Sequence, residues 1–218
     1  MKNSFKAKIL VIALFLLMPC YMHATENELS VGGGYMFYTE FSTLDGTDYN
    51  SLLHGLSANF SWRLYEDKYS LFGFAYNLDF GIPFNLYVEY DNVKASMIFT
   101  NCKIGGFTTD NAFGLQFRYP FCYEHRLECF AGAKIGTTFM AYNVGFGDDA
   151  SRKYTYNVNF GIQARLSYIY IFNDFIGISA GSIFEYDFFS LAQIVDSSAC
   201  TRFHVFRASP IVTAVMKF

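Results

Sequence analysis

Residues 154–170 alternate between two kinds of side chain, and this alternation constrains the fold more than any other feature of the sequence. The even positions from Tyr154 to Tyr170 hold aromatic or aliphatic residues, while the odd positions from Thr155 to Ser167 hold small or polar ones. Successive side chains of a β-strand point to opposite faces, so this segment predicts a strand with one apolar and one polar face. A helix repeats every 3.6 residues and does not fit the pattern.

The same alternation recurs in seven further segments, which predicts eight strands in total. In each segment Phe, Tyr, Leu or Ile alternates with Gly, Ser, Asn or a charged residue. The segments are 29–40, 54–65, 69–82, 111–121, 127–142, 175–188 and 204–218. Pro210 lies in the last of them and cannot donate a ladder hydrogen bond, so we expect a β-bulge there.

The connections between these segments alternate in length. Three are short, around 66–68, 122–126 and 173–174. An antiparallel barrel with both termini on one side predicts short turns on that side and long loops on the other. The ranges expected as long loops are 41–53, 83–110, 143–153 and 189–203. A ten-stranded barrel, with part of 84–107 as an extra hairpin, stays open as the alternative.

The aromatic content decides which face of the barrel is outside. The chain of 218 residues has 26 Phe and 17 Tyr, and 20% of its residues are aromatic. The interior of an eight-stranded barrel is just wide enough for side chains to fill, so it cannot hold this many rings. We therefore expect an all-β, eight-stranded antiparallel transmembrane barrel with its apolar face toward lipid, and not a soluble ligand-binding barrel.

The N-terminus predicts export. Residues 1–24 combine three lysines, an apolar stretch over 9–18 that is too short to span a membrane as a helix, and Ala24 before the expected cleavage point. We expect a cleaved signal peptide over 1–24 and a barrel domain over 25–218. Removing the three lysines leaves 13 basic against 19 acidic residues, a balance unlike that of a nucleic-acid-binding protein.

The end of the chain, Met216-Lys217-Phe218, resembles the signal that the barrel-assembly machinery recognises, with Phe218 as the terminal aromatic residue. Together with the signal peptide and eight strands, the mature chain resembles small bacterial outer-membrane barrels of the OmpW, OmpX or OmpA-transmembrane type. The resemblance is architectural and covers 25–218. It implies an integral protein of the cell outer membrane, with membrane lipid and the assembly machinery as partners and no cofactor.

The polar faces carry the main cluster of charged residues, which we expect to line the lumen. Isolated charges in a confined, poorly hydrated space cost several kcal/mol each, so they should be paired. We expect Glu128 to be bridged by arginines, Arg207 to pair with Glu185 or Asp187, and the lumen to be basic near the short turns and acidic above. The residues are Glu40, Arg63, Asp79, Arg118, Glu128, Lys134, Arg165, Glu185, Asp187, Arg207 and Lys217.

Four cysteines follow the predicted signal peptide, and an exported protein permits disulfides. If they form, we expect Cys102 with Cys200 in the outer loops and Cys122 with Cys129 around one short turn. The sequence shows neither a spaced metal-binding cluster nor a base–nucleophile pair. His54 and Ser57, for example, are three residues apart and would therefore point to opposite faces of a strand.

These features predict a non-enzymatic outer-membrane barrel with a charged, mostly plugged lumen and long surface loops, in a structural or surface-binding role. An extracellular ligand or host surface is the partner expected for the loops, and 83–110 is unusually apolar for a solvated one. The alternative function is a narrow porin or an OmpW-like channel for small or hydrophobic molecules.

Overall fold

The computed structural model describes residues 26–44, 47–90, 105–144, 151–194, 197–199 and 203–218, so the predicted signal peptide lies outside the described residues. These residues form nine strands: β1 (Glu26–Leu44), β2 (Thr47–Tyr65), β3 (Phe72–Tyr90), β4 (Gly105–Pro120), β5 (His125–Val144), β6 (Ser151–Ile171), β7 (Ile176–Ile194), β8 (Ser197–Ala199) and β9 (Phe203–Lys217). No helix within the described ranges is long and apolar enough to cross a membrane.

Eight of the strands close into an antiparallel barrel. Each strand from β1 to β6 pairs with the next one, β6 pairs with β7, β7 with β9, and β9 with β1. The three-residue β8 only extends β7 at one end. The prediction of an all-β, eight-stranded antiparallel barrel is therefore confirmed. The ten-stranded alternative is wrong for the described part of 84–107, because 84–90 continue β3 and 105–107 begin β4.

The strands continue far into the ranges expected as long loops. The β1–β2 ladder runs to Leu44 opposite Thr47, and the β5–β6 ladder runs to Val144 opposite Ser151. The expectation of long loops over 41–53 and 143–153 is therefore wrong, as is most of the expected loop over 189–203. Outside lipid a strand no longer needs an apolar outer face, so alternation fades while pairing continues.

Two bulges shift the strand register, and neither lies at Pro210. Phe84 is the extra residue of β3 where it passes His54 and Gly55 of β2. Phe188 is the extra residue of β7 where it passes Phe160 and Gly161 of β6. The bulge expected at Pro210 is wrong, since the β7–β9 register runs through it unchanged. The β1–β9 ladder instead omits Tyr35 and Met36 and resumes in the same register.

Glycines make the seam between the first and last strands tight. A Cβ atom on Gly34 would lie 2.0 Å from the Pro210 carbonyl oxygen, and one on Gly32 would lie 2.0 Å from that of Val212. The chain ends meet at the same seam, where Asn27 and Phe218 exchange two backbone hydrogen bonds of 3.0 Å. Closure of the barrel therefore depends on the small size of these glycines.

The Gly34→Ala variant should close the barrel poorly. The added methyl group would meet a backbone oxygen, so we expect a loss of stability at the upper end of the roughly 1–3 kcal/mol typical of overpacking. Urea titration of protein refolded into lipid vesicles measures this loss. Gly33→Ala is the matched control, because a Cβ there comes no closer than 3.0 Å to any neighbour, the Ser57 carbonyl oxygen. Equal losses in the two variants would contradict the seam argument.

Candidate functional site

The outer face of the barrel carries two bands of aromatic rings. At the end away from the short turns, four rings on β3 to β6 contact in series: Phe80, Phe107, Phe139 and Tyr154, with centroids 5.8–6.1 Å apart. At the turn end, Tyr119 contacts Phe121, and Trp62, Tyr168 and Phe218 are also exposed. Aromatic bands at both interfaces of an apolar belt are typical of transmembrane barrels.

The inner face carries a small apolar cluster toward each end. We call the turn end lower and the opposite end upper. A lower cluster contains Ile169, Ile171 and Val215. An upper cluster contains Tyr38, Leu53 and Val205, with Met140 packed against it. Charged side chains on the inner face form two further groups, and some of them lie level with these clusters, as Arg126 does with Ile169.

The lower charge layer consists of Glu26, Glu28, Arg63, Arg118, Arg126, Glu128 and Lys217. Arg126 lies at its centre: Nη1 donates to Glu28 Oε1 at 2.6 Å, and Nη2 pairs with Glu28 Oε2 and lies 2.8 Å from Glu128 Oε1. Arg63 Nε lies 3.2 Å from Glu128 Oε2. Such bidentate contacts between guanidinium and carboxylate groups are among the strongest polar contacts in proteins.

The upper charge layer consists of Asp79, Asp110, Lys134, Arg165, Glu185, Asp187 and Arg207. Lys134 Nζ is its hub, at 3.1 Å from Asp110, 3.0 Å from Glu185 and 2.8 Å from Asp187. Arg207 pairs with Asp110 and, at 3.1 Å, with Glu185. Arg165 pairs with Asp79. These seven side chains are buried, so each carboxylate has a cation close by.

All nine lumen residues of the main sequence prediction are buried and make ion pairs. Glu128 contacts two arginines, and Arg207 contacts Glu185, as expected. The excess is one positive charge in the lower layer and one negative charge in the upper layer. The side chain of Glu40 lies outside the described ones. Arg165 was expected near the turns and away from Asp79, yet the two pair, because they lie at similar distances from the turn ends of β6 and β3.

Sequence reasoning missed four members of these layers. Glu26 and Glu28 precede the first alternating segment, Arg126 was assigned to a turn, and Asp110 was assigned to a loop. All four continue the alternation of their strands on the inward face, with Arg126 two positions from Glu128, for example. Extending each alternating segment by one to three residues at its polar positions would have found them.

Arg118 connects the lower charge layer to the β2–β3 turn. Its Nε donates to the Ser70 carbonyl and its Nη2 to the Asp67 carbonyl, both at 2.6 Å. Its guanidinium also lies over the Tyr65 ring, 3.8 Å from the centroid. Within the turn, Asp67 accepts hydrogen bonds from the backbone N–H groups of Tyr69 and Ser70 and from the Ser70 hydroxyl, which hold the pKa of Asp67 below its usual value.

Two small cavities lie in the lumen, each of about 10 Å³. That volume holds about one water molecule. The first, cavity 1, lies between the two charge layers and is lined by Ser30, Asn59, Ser61, Arg63, Arg165, Ser167, Ser179, Ile211 and Thr213. The second, cavity 2, lies within the upper layer, where Asp79, Glu185 and Arg207 form part of its wall.

The cysteine pairing expected around the lower turn is wrong. Cys122 and Cys129 are both free thiols. The N–H groups of Phe121 and Cys122 bond the His125 carbonyl, and Cys129 lies four residues farther along β5. Four residues span about 13 Å, whereas disulfides need Cα atoms within about 7 Å. The other expected pair, Cys102 with Cys200, lies outside the described residues.

Two histidines on the barrel have tyrosine partners. His125 Nδ1 hydrogen-bonds the Tyr168 hydroxyl, and His204 Nδ1 lies 2.7 Å from the Tyr186 hydroxyl. Within the described ranges, no group of three or more His, Cys, Asp or Glu side chains could hold a metal ion.

No known protein family and no curated protein matches the sequence. Solved structures match the fold. The outer membrane protein OprG from Pseudomonas aeruginosa is 11% identical, with a TM-score of 0.56, over 88% of this chain and 96% of OprG. The outer membrane protease OmpT from Escherichia coli is 6% identical, with a TM-score of 0.50, over 89% of this chain and 97% of OmpT. A major outer membrane protein from Thermus thermophilus is 7% identical, with a TM-score of 0.50, over 85% of this chain and 99% of that protein.

At these identities the likeness shows the fold alone. The chain has the closed antiparallel barrel fold that these bacterial outer-membrane proteins have.

A double-mutant cycle on Glu28 and Arg126 should reveal strong coupling. Glu28→Gln or Arg126→Met alone leaves a buried charge short of its partner, and we expect each to cost about 3–5 kcal/mol. The double variant should lose much less than the sum of the two. Urea titration in lipid vesicles measures all three. Glu124→Gln in an exposed turn is the matched control and should change stability by less than about 0.5 kcal/mol. Additive losses would show that the two residues do not act as a pair.

Proposed function

We propose that this protein is a non-enzymatic, integral outer-membrane barrel with a closed lumen, which serves as a rigid support for hairpins at the outer surface. Export by the signal peptide over 1–24 and recognition of Phe218 by the assembly machinery belong to the same proposal. The observation that carries it is the filling of the lumen. The two cavities are only about 10 Å³ each, the ion pair of Arg165 and Asp79 joins their linings, and an apolar cluster lies toward each end.

The ion pairs make a closed lumen stable as well as full. A permeating ion would have to displace cations and carboxylates that already satisfy one another, such as Lys134 with its three carboxylates. Removing one partner of a buried pair is strongly destabilising, so an open state carries a large cost. The lumen is thus better suited to stiffening the barrel than to transport.

The height of the strands supports the surface role. β6 has 21 residues, which at about 3.3 Å per residue and a tilt near 45° rise roughly 49 Å. The apolar band of such barrels is only about 25 Å tall. Since the lower turns are short, most of the excess projects from the upper end, where an extracellular ligand or host surface is the proposed partner.

The absence of enzymatic activity is also part of the proposal. His125 and His204 each make a hydrogen bond to a tyrosine hydroxyl on the outer face, and among the described contacts neither histidine has a carboxylate that would orient it as a base. The fold likeness to the protease OmpT, at 6% identity, carries no activity over to this chain.

A second candidate function, a route for hydrophobic molecules, is favoured by two observations at the upper end. The lumen there is apolar, with Tyr38, Leu53 and Val205 in contact. The β3–β4 ladder also ends at Gly81 opposite Thr108, although β3 runs on to Tyr90. An apolar molecule that entered from above could leave toward lipid between these two strands.

Planar-bilayer recording tests the closed lumen. Purified protein inserted into a bilayer in concentrated KCl should give no steady conductance steps, because the two cavities found among the described lumen residues are each too small for a hydrated ion. Lys134→Ala, which leaves three carboxylates facing one another, should give a leak if it folds. Steady unitary steps from the unaltered protein would reject the closed lumen, and co-sedimentation with vesicles establishes insertion independently.

Photolabelling with an apolar diazirine tests the second candidate. If apolar molecules enter from above, the probe should modify inward residues of the upper cluster, such as Leu53 and Val205. It should spare Ile169 and Ile171 of the lower cluster, which serve as the internal control. Mass spectrometry of peptides measures both. Labelling confined to lipid-facing residues, or equal labelling of the two clusters, would count against a hydrophobic route.

A further inference from the structure

Cavity 1 is lined in a way that differs from the rest of the lumen. Seven of its nine lining side chains are hydroxyls or guanidinium groups: Ser30, Ser61, Ser167, Ser179, Thr213, Arg63 and Arg165. No carboxylate lines it, although seven carboxylates belong to the two charge layers above and below. Hydroxyl and guanidinium groups can all donate hydrogen bonds. The cavity is therefore rich in donors and positive in its local charge.

Two of these donors have no partner. Ser30 Oγ and Arg63 Nη1 are buried and make no hydrogen bond. The residue Ser30 is only 1% exposed and Arg63 only 6%. Arg63 Nη1 does lie 3.6 Å from Glu28 Oε2, which is an ion-pair distance without a hydrogen bond. A buried donor without an acceptor costs about 1–3 kcal/mol, and more when it is charged. Both donors therefore favour an acceptor inside the cavity.

Two neighbouring hydroxyls add to the donor surplus. Ser179 Oγ and Thr213 Oγ1 lie 2.6 Å apart, so one donates to the other and the second hydrogen is left over. Arg165 uses Nε on Gln163 and Nη2 on Asp79, which fixes its guanidinium beside the cavity. The lining also has one unpartnered acceptor, Asn59 Oδ1, so the donors outnumber the acceptors there. A small anion only accepts, and therefore suits this surplus of donors better than a water molecule does.

The charge balance points in the same direction. The lower layer contains four cationic side chains, Arg63, Arg118, Arg126 and Lys217, against the three carboxylates of Glu26, Glu28 and Glu128. One positive charge is thus left over below the cavity, in a space where charge is poorly hydrated. A single negative charge in cavity 1 would neutralise the lower layer and pair with Arg63.

From these observations we infer that cavity 1 is a binding site for one small monovalent anion of the halide type, with Arg63 Nη1 and Ser30 Oγ as its principal donors. A cavity of about 10 Å³ takes a single small occupant, which excludes polyatomic anions such as phosphate and sulfate. Cavity 2 provides the contrast: carboxylates of Asp79 and Glu185 line it, so it repels anions and suits water. The site goes beyond the proposed function and does not depend on whether the lumen conducts.

Anion substitution tests the site in the folded, full-length barrel. Thermal unfolding of protein in lipid vesicles is measured in potassium chloride, potassium bromide and potassium gluconate at equal ionic strength. Chloride and bromide should raise the midpoint in a saturable manner, because a ligand that binds only the folded state stabilises it by mass action. Gluconate is too large for the cavity and should give no rise. Equal midpoints in all three salts would overturn the site.

Two variants locate the effect. Ser30→Val fills cavity 1 with a methyl group and removes one donor, so the difference between chloride and gluconate should vanish. Ser57→Val is the matched control, because Ser57 Oγ is also an unpartnered hydroxyl but lines cavity 2. It should keep the difference in full. If both variants lose it, or both keep it, the site is not cavity 1.

A crystal of the unaltered protein grown in bromide gives a direct answer that needs no variant to fold. An anomalous bromide peak within hydrogen-bond distance of Arg63 Nη1 and Ser30 Oγ is the expected result. Ordered density without an anomalous signal would identify the occupant as water and reject the proposal.

Discussion

Every feature of this molecule follows from the need to satisfy backbone hydrogen bonds inside a lipid layer that offers none. Strands meet this need only when the sheet closes, and here the closing contact joins β1 to β9. At this contact a Cβ atom on Gly32 or Gly34 would lie 2.0 Å from a carbonyl oxygen of β9, so both positions require glycine. Once the sheet is closed, each strand has one face toward lipid and one toward a narrow lumen.

The narrow lumen then determines how polar residues are arranged. Eight strands leave room for side chains and little else, so inward charges lie within contact distance of one another. The described side chains of the two layers include seven cations and seven carboxylates, so the total charge is zero. The lower layer, however, has a net charge of +1 and the upper layer a net charge of −1. Neighbouring carboxylates such as Asp110, Glu185 and Asp187 are tolerated only because Lys134 and Arg207 lie among them. Two cavities lie among the described side chains of the lumen, and their linings differ as the two layers differ.

Alternation was sufficient to predict the strand count and the orientation of each face from the sequence. It gave the correct face for Trp62, Arg63 and Glu128, for example, because parity is a local property. The prediction of strands failed where apolar and polar residues no longer alternate along the sequence. Residues 41–44 and 47–53 extend the β1–β2 hairpin, but their sequences, FSTL and TDYNSLL, do not alternate and so look like a loop.

Pairing partners were harder to predict than faces. Glu28 and Arg126 are 98 positions apart in the sequence and meet only because β1 and β5 face each other across the lumen. Which inward residues share a level depends on strand tilt and on bulges such as those at Phe84 and Phe188, and neither is readable from alternation. The same limitation hid cavity 1, whose lining comes from several strands and whose donors become a group only in three dimensions.

The ion pairs also supply information that alternation cannot. A one-residue slip between strands would turn apolar side chains into the lumen and is rejected by the hydrophobic effect. A two-residue slip keeps every side chain on its proper face, so burial alone scarcely opposes it. Such a slip would move Glu28 about 7 Å along its strand relative to its neighbours, leaving Arg126 and Arg63 without this carboxylate. Since an unpaired buried charge costs several kcal/mol, the charge layers discriminate between registers that have the same pattern of polar and apolar faces.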